Sequence, residues 1–268
     1  MLTEEWSFAG SGASLFGTRW METEPTRIVV LVHGYGEHIG RYTNMARELV
    51  SNEIVVYGMD HQGHGCSDGE RVLYSDIDSN VSDIDTLVDR SRAEFGSLPL
   101  VIIGHSLGGM MTARYMQVFP GKVQGAVLSS PVLGHWGVVD SFVQTGEIPG
   151  GGIDPSTLSR DSSVGSAYVA DPLVYHGDFK KETLVAISEC LSNISSGPKD
   201  VSTPVLWVHG TDDQLVPQRD TEAGIENLFG SNVREIVYSD ARHEVFNEIN
   251  RFSVYRDVVR FIKSISVS

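Results

Sequence analysis

Leu100-Val101-Ile102-Ile103-Gly104-His105-Ser106-Leu107-Gly108-Gly109 is the stretch that decides how the rest of this chain is read. An apolar run rich in β-branched residues has the character of a buried strand, and it breaks at a Gly-x-Ser-x-Gly pentapeptide. Met110-Met111-Thr112-Ala113-Arg114-Tyr115-Met116 then continues as a helix. A serine on so tight a strand-to-helix turn is pushed outward, and its neighbours must be small because a side chain there would strike the adjacent backbone. The pentapeptide alone is common in ordinary βα turns. The strand before it and the helix after it mark Ser106 as a candidate nucleophile.

A serine hydroxyl attacks poorly at neutral pH, so it needs a base and a carboxylate to orient that base. After an elbow of this kind the chain order is acid, then histidine, each in a loop beyond a late strand. Pro204-Val205-Leu206-Trp207-Val208-His209-Gly210 reads as one such strand, with Thr211-Asp212-Asp213 directly behind it. Either aspartate suits the acid. Val233-Arg234-Glu235-Ile236-Val237-Tyr238 reads as the next strand and leads through Ser239-Asp240-Ala241-Arg242 to His243, the candidate base. The plain alternative, that these aspartates cap a helix and His243 is a surface residue, must explain three coincidences in the right order.

Attack on a carbonyl also demands donors for the oxyanion, usually two backbone N–H groups. Leu107 N–H, at the start of the elbow helix, is one candidate. The other comes from the loop after an early strand. Ile28-Val29-Val30-Leu31-Val32-His33-Gly34-Tyr35-Gly36-Glu37 has that form, and its glycines let the Tyr35 N–H approach a ligand.

Several blocks carry a resemblance: His33-Gly34-Tyr35-Gly36-Glu37-His38 with Arg41-Tyr42, Asp60-His61-Gln62-Gly63-His64-Gly65-Cys66-Ser67-Asp68-Gly69, and the elbow itself. Leu158-Ser159-Arg160-Asp161, Tyr168-Val169-Ala170-Asp171-Pro172-Leu173-Val174, His209-Gly210-Thr211-Asp212-Asp213 and Arg242-His243-Glu244-Val245-Phe246-Asn247-Glu248 extend it collinearly over nearly the whole chain. The chain resembles the monoacylglycerol lipases of the serine α/β-hydrolase superfamily. That resemblance implies an α/β-hydrolase fold: a mostly parallel central sheet flanked by helices, with an inserted cap or lid. It assigns the acid to Asp213, and implies that Glu37, Arg41, His105 and Tyr168 hold the glycerol end of a monoacylglycerol. Two positions depart from the pattern: Leu107 stands where methionine is frequent, and Tyr35 where a small or aliphatic residue is usual. A lysophospholipase or short-chain carboxylesterase would share these motifs. A ligand-binding receptor of the same fold is the non-enzymatic alternative, and the complete triad weighs against it.

The chain has 268 residues, of which 41% are hydrophobic, enough for one hydrolase domain with an insertion. Apolar runs alternate with helical patterns in the first half, as βα units do, after an antiparallel hairpin around Phe8–Phe16. The rhythm stops after Val127-Leu128-Ser129-Ser130-Pro131 and resumes at Pro204, so 1–132 and 201–268 are read as core and 133–200 as cap. In the cap, Trp136, Val139 and Val143 recur at helical spacing with Phe142 alongside, an apolar face for the protein interior or for lipid aggregates. The last helix places Phe252, Tyr255, Val259 and Ile262 on one stripe. A net charge of −15 argues against nucleic acid and anionic membrane surfaces. No apolar run reaches the ~20 residues of a membrane span, and the start lacks a secretory pattern, so a cytoplasmic location, peripheral at lipid surfaces, is expected. The 2 cysteines, Cys66 and Cys190, read as free thiols. No cofactor is expected, and His61 and His64 are read as structural rather than metal ligands.

Overall fold

A computed structural model of the chain describes residues 1–22, 24–200 and 202–266. Its elements in order are β1 (Leu2–Ala9), β2 (Ser14–Met21), β3 (Arg27–Val32), α1 (Thr43–Ser51), β4 (Ile54–Met59), α2 (Ile77–Phe95), β5 (Leu100–His105) and α3 (Leu107–Val118). Then follow β6 (Gly125–Ser129), α4 (Gly137–Thr145), α5 (Ser162–Ala170), α6 (Lys181–Ser196), β7 (Val205–Gly210), α7 (Gln218–Phe229), β8 (Val233–Tyr238) and α8 (Arg251–Ser264). One sheet runs β1-β2-β4-β3-β5-β6-β7-β8. The β1–β2 hairpin is antiparallel, β2 meets β4 antiparallel, and β3 through β8 pair in parallel.

Every residue of β4, β5, β6 and β7 is buried, which explains their unbroken apolar character: helices cover both faces of a parallel sheet. Alternate residues serve opposite faces. Ile28 and Val30 of β3 belong to one buried cluster with Val81, Met110, Ile187 and Phe229 of α2, α3, α6 and α7. Val29 and Leu31 pack with Met45, Leu49, Val254 and Val258 of α1 and α8.

Because these strands are parallel, the loops after β3, β5, β7 and β8 gather at one edge of the sheet, where ligands of open α/β sheets bind. Those loops carry Tyr35, Ser106, Asp213 and His243. The chain between β6 and β7 crosses this edge. Trp136 Nε1–H donates to Leu215 O at 3.0 Å, Tyr175 N–H to Gly36 O at 2.8 Å, and Glu244 N–H to Leu158 O at 2.8 Å. In contrast, α6 packs on α2 and α3.

Two apolar stripes differ from expectation. Val139 and Phe142 are buried beside Trp136 and Phe179, but Val143 is 62% exposed. Trp136 is extended and precedes α4, so a two-turn helix meets the protein along a narrow line, and Val143, about 40° round from Val139, clears it. Phe252 is 68% exposed in the first turn of α8, its ring edge-on to Tyr255, while Val254, Val258 and Phe261 join Tyr255, Val259 and Ile262 in the buried face. Among the described residues, no helix is long and apolar enough to cross a membrane.

Candidate active site

The elbow is a strained turn that only its glycines permit. Ser106 has φ 54° and ψ −119°, in a region side-chain-bearing residues seldom occupy. A Cβ on Gly104 would lie 2.3 Å from Gly108 O, and one on Gly108 would lie 2.3 Å from Val32 O and 2.4 Å from His33 O. These approaches draw α3 tightly onto β3 and β5. Ser106 N–H is tied to Ser129 O of β6 at 2.9 Å.

Asp213 and His243, 30 residues apart in sequence, meet through His243 Nδ1 and Asp213 Oδ2 at 2.8 Å, both side chains almost wholly buried. Asp213 Oδ1 accepts from Leu215 N–H at 3.0 Å and Val216 N–H at 2.9 Å. Its Oδ2 also faces His209 Nε2 at 3.1 Å. Burial pushes the Asp213 pKa up, but the charge on His243 and the hydrogen bonds from His209 and His243 reverse this and hold it well below the usual carboxylate range. Burial pulls His243 down, and the charge and hydrogen bond of Asp213 outweigh it, leaving the imidazole above its ordinary value. Asp212 is different: its side chain is 47% exposed, with Arg242 Nε 3.6 Å away. Ser130 Oγ donates to His243 O at 3.0 Å and anchors the histidine loop over β6.

Tyr35 and Leu107 lie at the adjoining loop and helix start, both side chains buried. Among the described residues, neither backbone N–H has a hydrogen-bond partner. A Cβ on Gly34 would lie 3.2 Å from Ser106 Cβ, so this turn passes directly beside the serine. The Tyr35 ring stacks on Phe179 with centroids 4.9 Å apart.

Glu37, Arg41, His105 and Tyr168 also converge here, but their polar atoms are engaged unequally. Glu37 Oε1 accepts from Gly34 N–H and Tyr42 Oη, each at 2.7 Å, and Oε2 from Arg41 Nη1 at 2.8 Å. Arg41 binds Glu244 through both its terminal nitrogens at 2.6 and 2.9 Å. Its guanidinium lies 5.0 Å over the Tyr168 ring. His105 Nδ1 is 3.0 Å from Ser129 Oγ and its ring packs at 4.8 Å on His243; burial and that neighbour lower its pKa to about 4. Among the described residues, the Tyr168 hydroxyl is buried without a partner, above Gly36.

The residue order gives Glu244, Glu248, Trp207 and His209 no role of their own. Glu244 and Glu248 stand within the quoted His243 block. The fully buried Glu248 carboxylate accepts from Arg160 Nε, Arg160 N–H and Arg242 N–H, which ties the cap root to the histidine loop. In sequence Glu244 and Glu248 show only as acidic residues one and five positions after the base, their cations Arg41 and Arg160 lying in distant segments.

A family model described as serine aminopeptidase, S33, matches residues 23–250. Monoacylglycerol lipase of Mycolicibacterium smegmatis is 35% identical over 271 residues, covering 97% of this chain and 97% of its own. Monoglyceride lipase of Homo sapiens is 30% identical over 249 residues, covering 89% and 82%. The crystal structure of Paleococcus ferrophilus monoacylglycerol lipase superposes with a TM-score of 0.81 at 28% identity, covering 94% of this chain and 99% of that one. With the elbow, its eight-stranded sheet and these likenesses along its length, the chain belongs to the monoacylglycerol lipase family of serine α/β hydrolases.

Proposed function

We propose that the protein hydrolyses monoacylglycerol to glycerol and a free fatty acid through an acyl-enzyme on Ser106. Ser106 Oγ attacks the ester carbonyl while His243 Nε2 takes its proton. Tyr35 N–H and Leu107 N–H receive the oxyanion. His243 returns the proton to the departing glycerol oxygen, and water repeats the sequence to release the acid. Asp213 orients His243 and stabilises its charge. The observation that carries this reading is the buried Asp213–His243 bond at 2.8 Å on the same sheet edge as a positive-φ serine.

The unpartnered Tyr168 hydroxyl supports the glycerol assignment, since a buried phenol without a partner is costly and a substrate hydroxyl would satisfy it. Glu37, Arg41 and His105 back this polar end. The cap, taken as 133–200, brings Trp136, Val139, Phe142 and Phe179 to the acyl side, and its exposed Val143, Ile148 and Val169 are its contacts with lipid aggregates. Free Cys66 and Cys190 suit a cytoplasmic protein peripheral at lipid surfaces.

The test is release of fatty acid from mono-, di- and triacylglycerol and lysophosphatidylcholine, with Ser106→Ala as control. Monoacylglycerol should be turned over fastest, and the variant should lose about 10⁵–10⁶ in kcat. Faster turnover of lysophosphatidylcholine would move the assignment to lysophospholipase; a variant above a tenth of normal activity would end the serine mechanism.

A further inference from the structure

Behind Asp213 lies a second pair of buried polar rings. Trp207 and His209 are two residues apart on β7 and so point to the same face of the sheet. Trp207 Nε1–H donates to His209 Nδ1 at 3.0 Å, and His209 Nε2 lies 2.8 Å from Val216 O and 3.1 Å from Asp213 Oδ2. His209 is fully buried and Trp207 nearly so. An indole nitrogen can only donate, so His209 Nδ1 must be the acceptor and the ring proton must sit on Nε2, shared between Val216 O and Asp213 Oδ2. A second proton on His209 would set two N–H groups against each other.

We infer that Trp207 and His209 are positioning residues, a tautomer lock that gives Asp213 a neutral donor and reserves its single negative charge for His243. A freely protonated His209 would otherwise compete with His243 for that carboxylate across the same oxygen. The inference rests on Asp213 and His243 being the working acid and base. His243 faces Asp213, His105, Glu37 and Glu244, the two glutamates being paired with Arg41. None of these groups changes in the variants below, so a moved acid limb reports the Asp213 carboxylate.

The experiment follows kcat and kcat/KM against pH on a soluble short-chain ester, with thermal melts to establish folding, for His209→Leu, His209→Gln and Trp207→Phe. His209→Leu leaves Oδ2 to His243 alone, so the acid limb should rise by about one pH unit and kcat fall about ten- to a hundredfold as the carboxylate loses its brace. Glutamine offers an acceptor and a donor at the same bite without a protonation site, so His209→Gln should recover most of that kcat and return the limb to its normal position. Trp207→Phe removes the donor that fixes the His209 tautomer, so kcat should fall severalfold in the same direction as in His209→Leu while the melt is retained. A folded His209→Leu with an unmoved limb, a His209→Gln as impaired as His209→Leu, or a folded Trp207→Phe with normal kcat would each overturn the lock. If His209→Leu does not fold, the other two variants decide. Ser106→Ala, assayed alongside, separates the readings: activity in that variant removes the triad itself, whereas an inactive Ser106→Ala with unmoved pH profiles removes only the lock.

Discussion

Asp213→Asn changes one atom, and the structure says what that atom meets. The carboxylate accepts from four donors: Leu215 N–H and Val216 N–H on Oδ1, His243 Nδ1 and His209 Nε2 on Oδ2. An asparagine has one acceptor oxygen, so its NH₂ must face two donors in either orientation. Backbone N–H groups cannot change their chemistry but an imidazole can, so the amide oxygen stays on the Leu215–Val216 side and the NH₂ turns to the histidines. His243 must then accept at Nδ1 and carry its proton on Nε2, where it cannot take the proton of Ser106. The corresponding change in another serine triad lowers kcat about 10⁴-fold, and a loss of that order is expected here. His209 has no such freedom, because Trp207 already donates to its Nδ1. That leaves one buried donor facing another, worth about 1–3 kcal/mol of stability. Asp212→Asn is the control: its side chain is 47% exposed and its nearest cation is 3.6 Å away, so it should alter kcat less than about threefold and stability by under about 0.5 kcal/mol. The assay is kcat on a p-nitrophenyl ester with thermal melts of both variants. An Asp213→Asn enzyme above a tenth of normal kcat, or an equal loss in Asp212→Asn, would refute this assignment of the acid.

Acid should destabilise the fold before its carboxylates titrate. Burial holds His61, His64 and His105 at about 4, 3 and 4, against 6.5 unfolded. Groups lowered in the folded state lend stability that is full above pH 6.5 and is lost as pH falls towards those values. At pH 5 each gives up about 2 kcal/mol, roughly 6 together. His33 moves the same way, while His243, raised in the fold, offsets part of the loss. A thermal midpoint that stays level from pH 7 to 5 would contradict this. In the cap, Val139→Asp buries a charge and should lower the melting temperature, whereas Val143→Asp should keep the melt and selectively depress turnover of long-chain micellar substrate. Equal loss on a soluble butyrate ester would remove Val143 from lipid contact.

Much of this molecule was legible before its tertiary structure. The elbow, the strand before each candidate catalytic residue and the opening hairpin are local patterns, written in β-branched runs and glycine turns. The choice between Asp212 and Asp213 is not written in the residues themselves, because adjacent identical side chains carry no local distinction; the family resemblance points to Asp213, and the loop geometry buries that one and exposes the other. Helical spacing likewise grouped Val143 with Val139 and Phe252 with Tyr255, because periodicity gives direction around a helix but not the width of what lies against it.

The amino-acid order by itself determined where the backbone turns and which chemistry each turn carries, since glycine freedom, strand propensity and serine, aspartate and histidine chemistry belong to residues and near neighbours. Only the tertiary structure decided which polar groups answer one another: Arg41 with Glu244 across 203 positions, Arg160 with Glu248 across 88, and His209 with Asp213 under the hydrogen bond of Trp207. Such pairings exist because parallel strands bring distant loops to one edge, where burial leaves each polar atom dependent on the partner placed there.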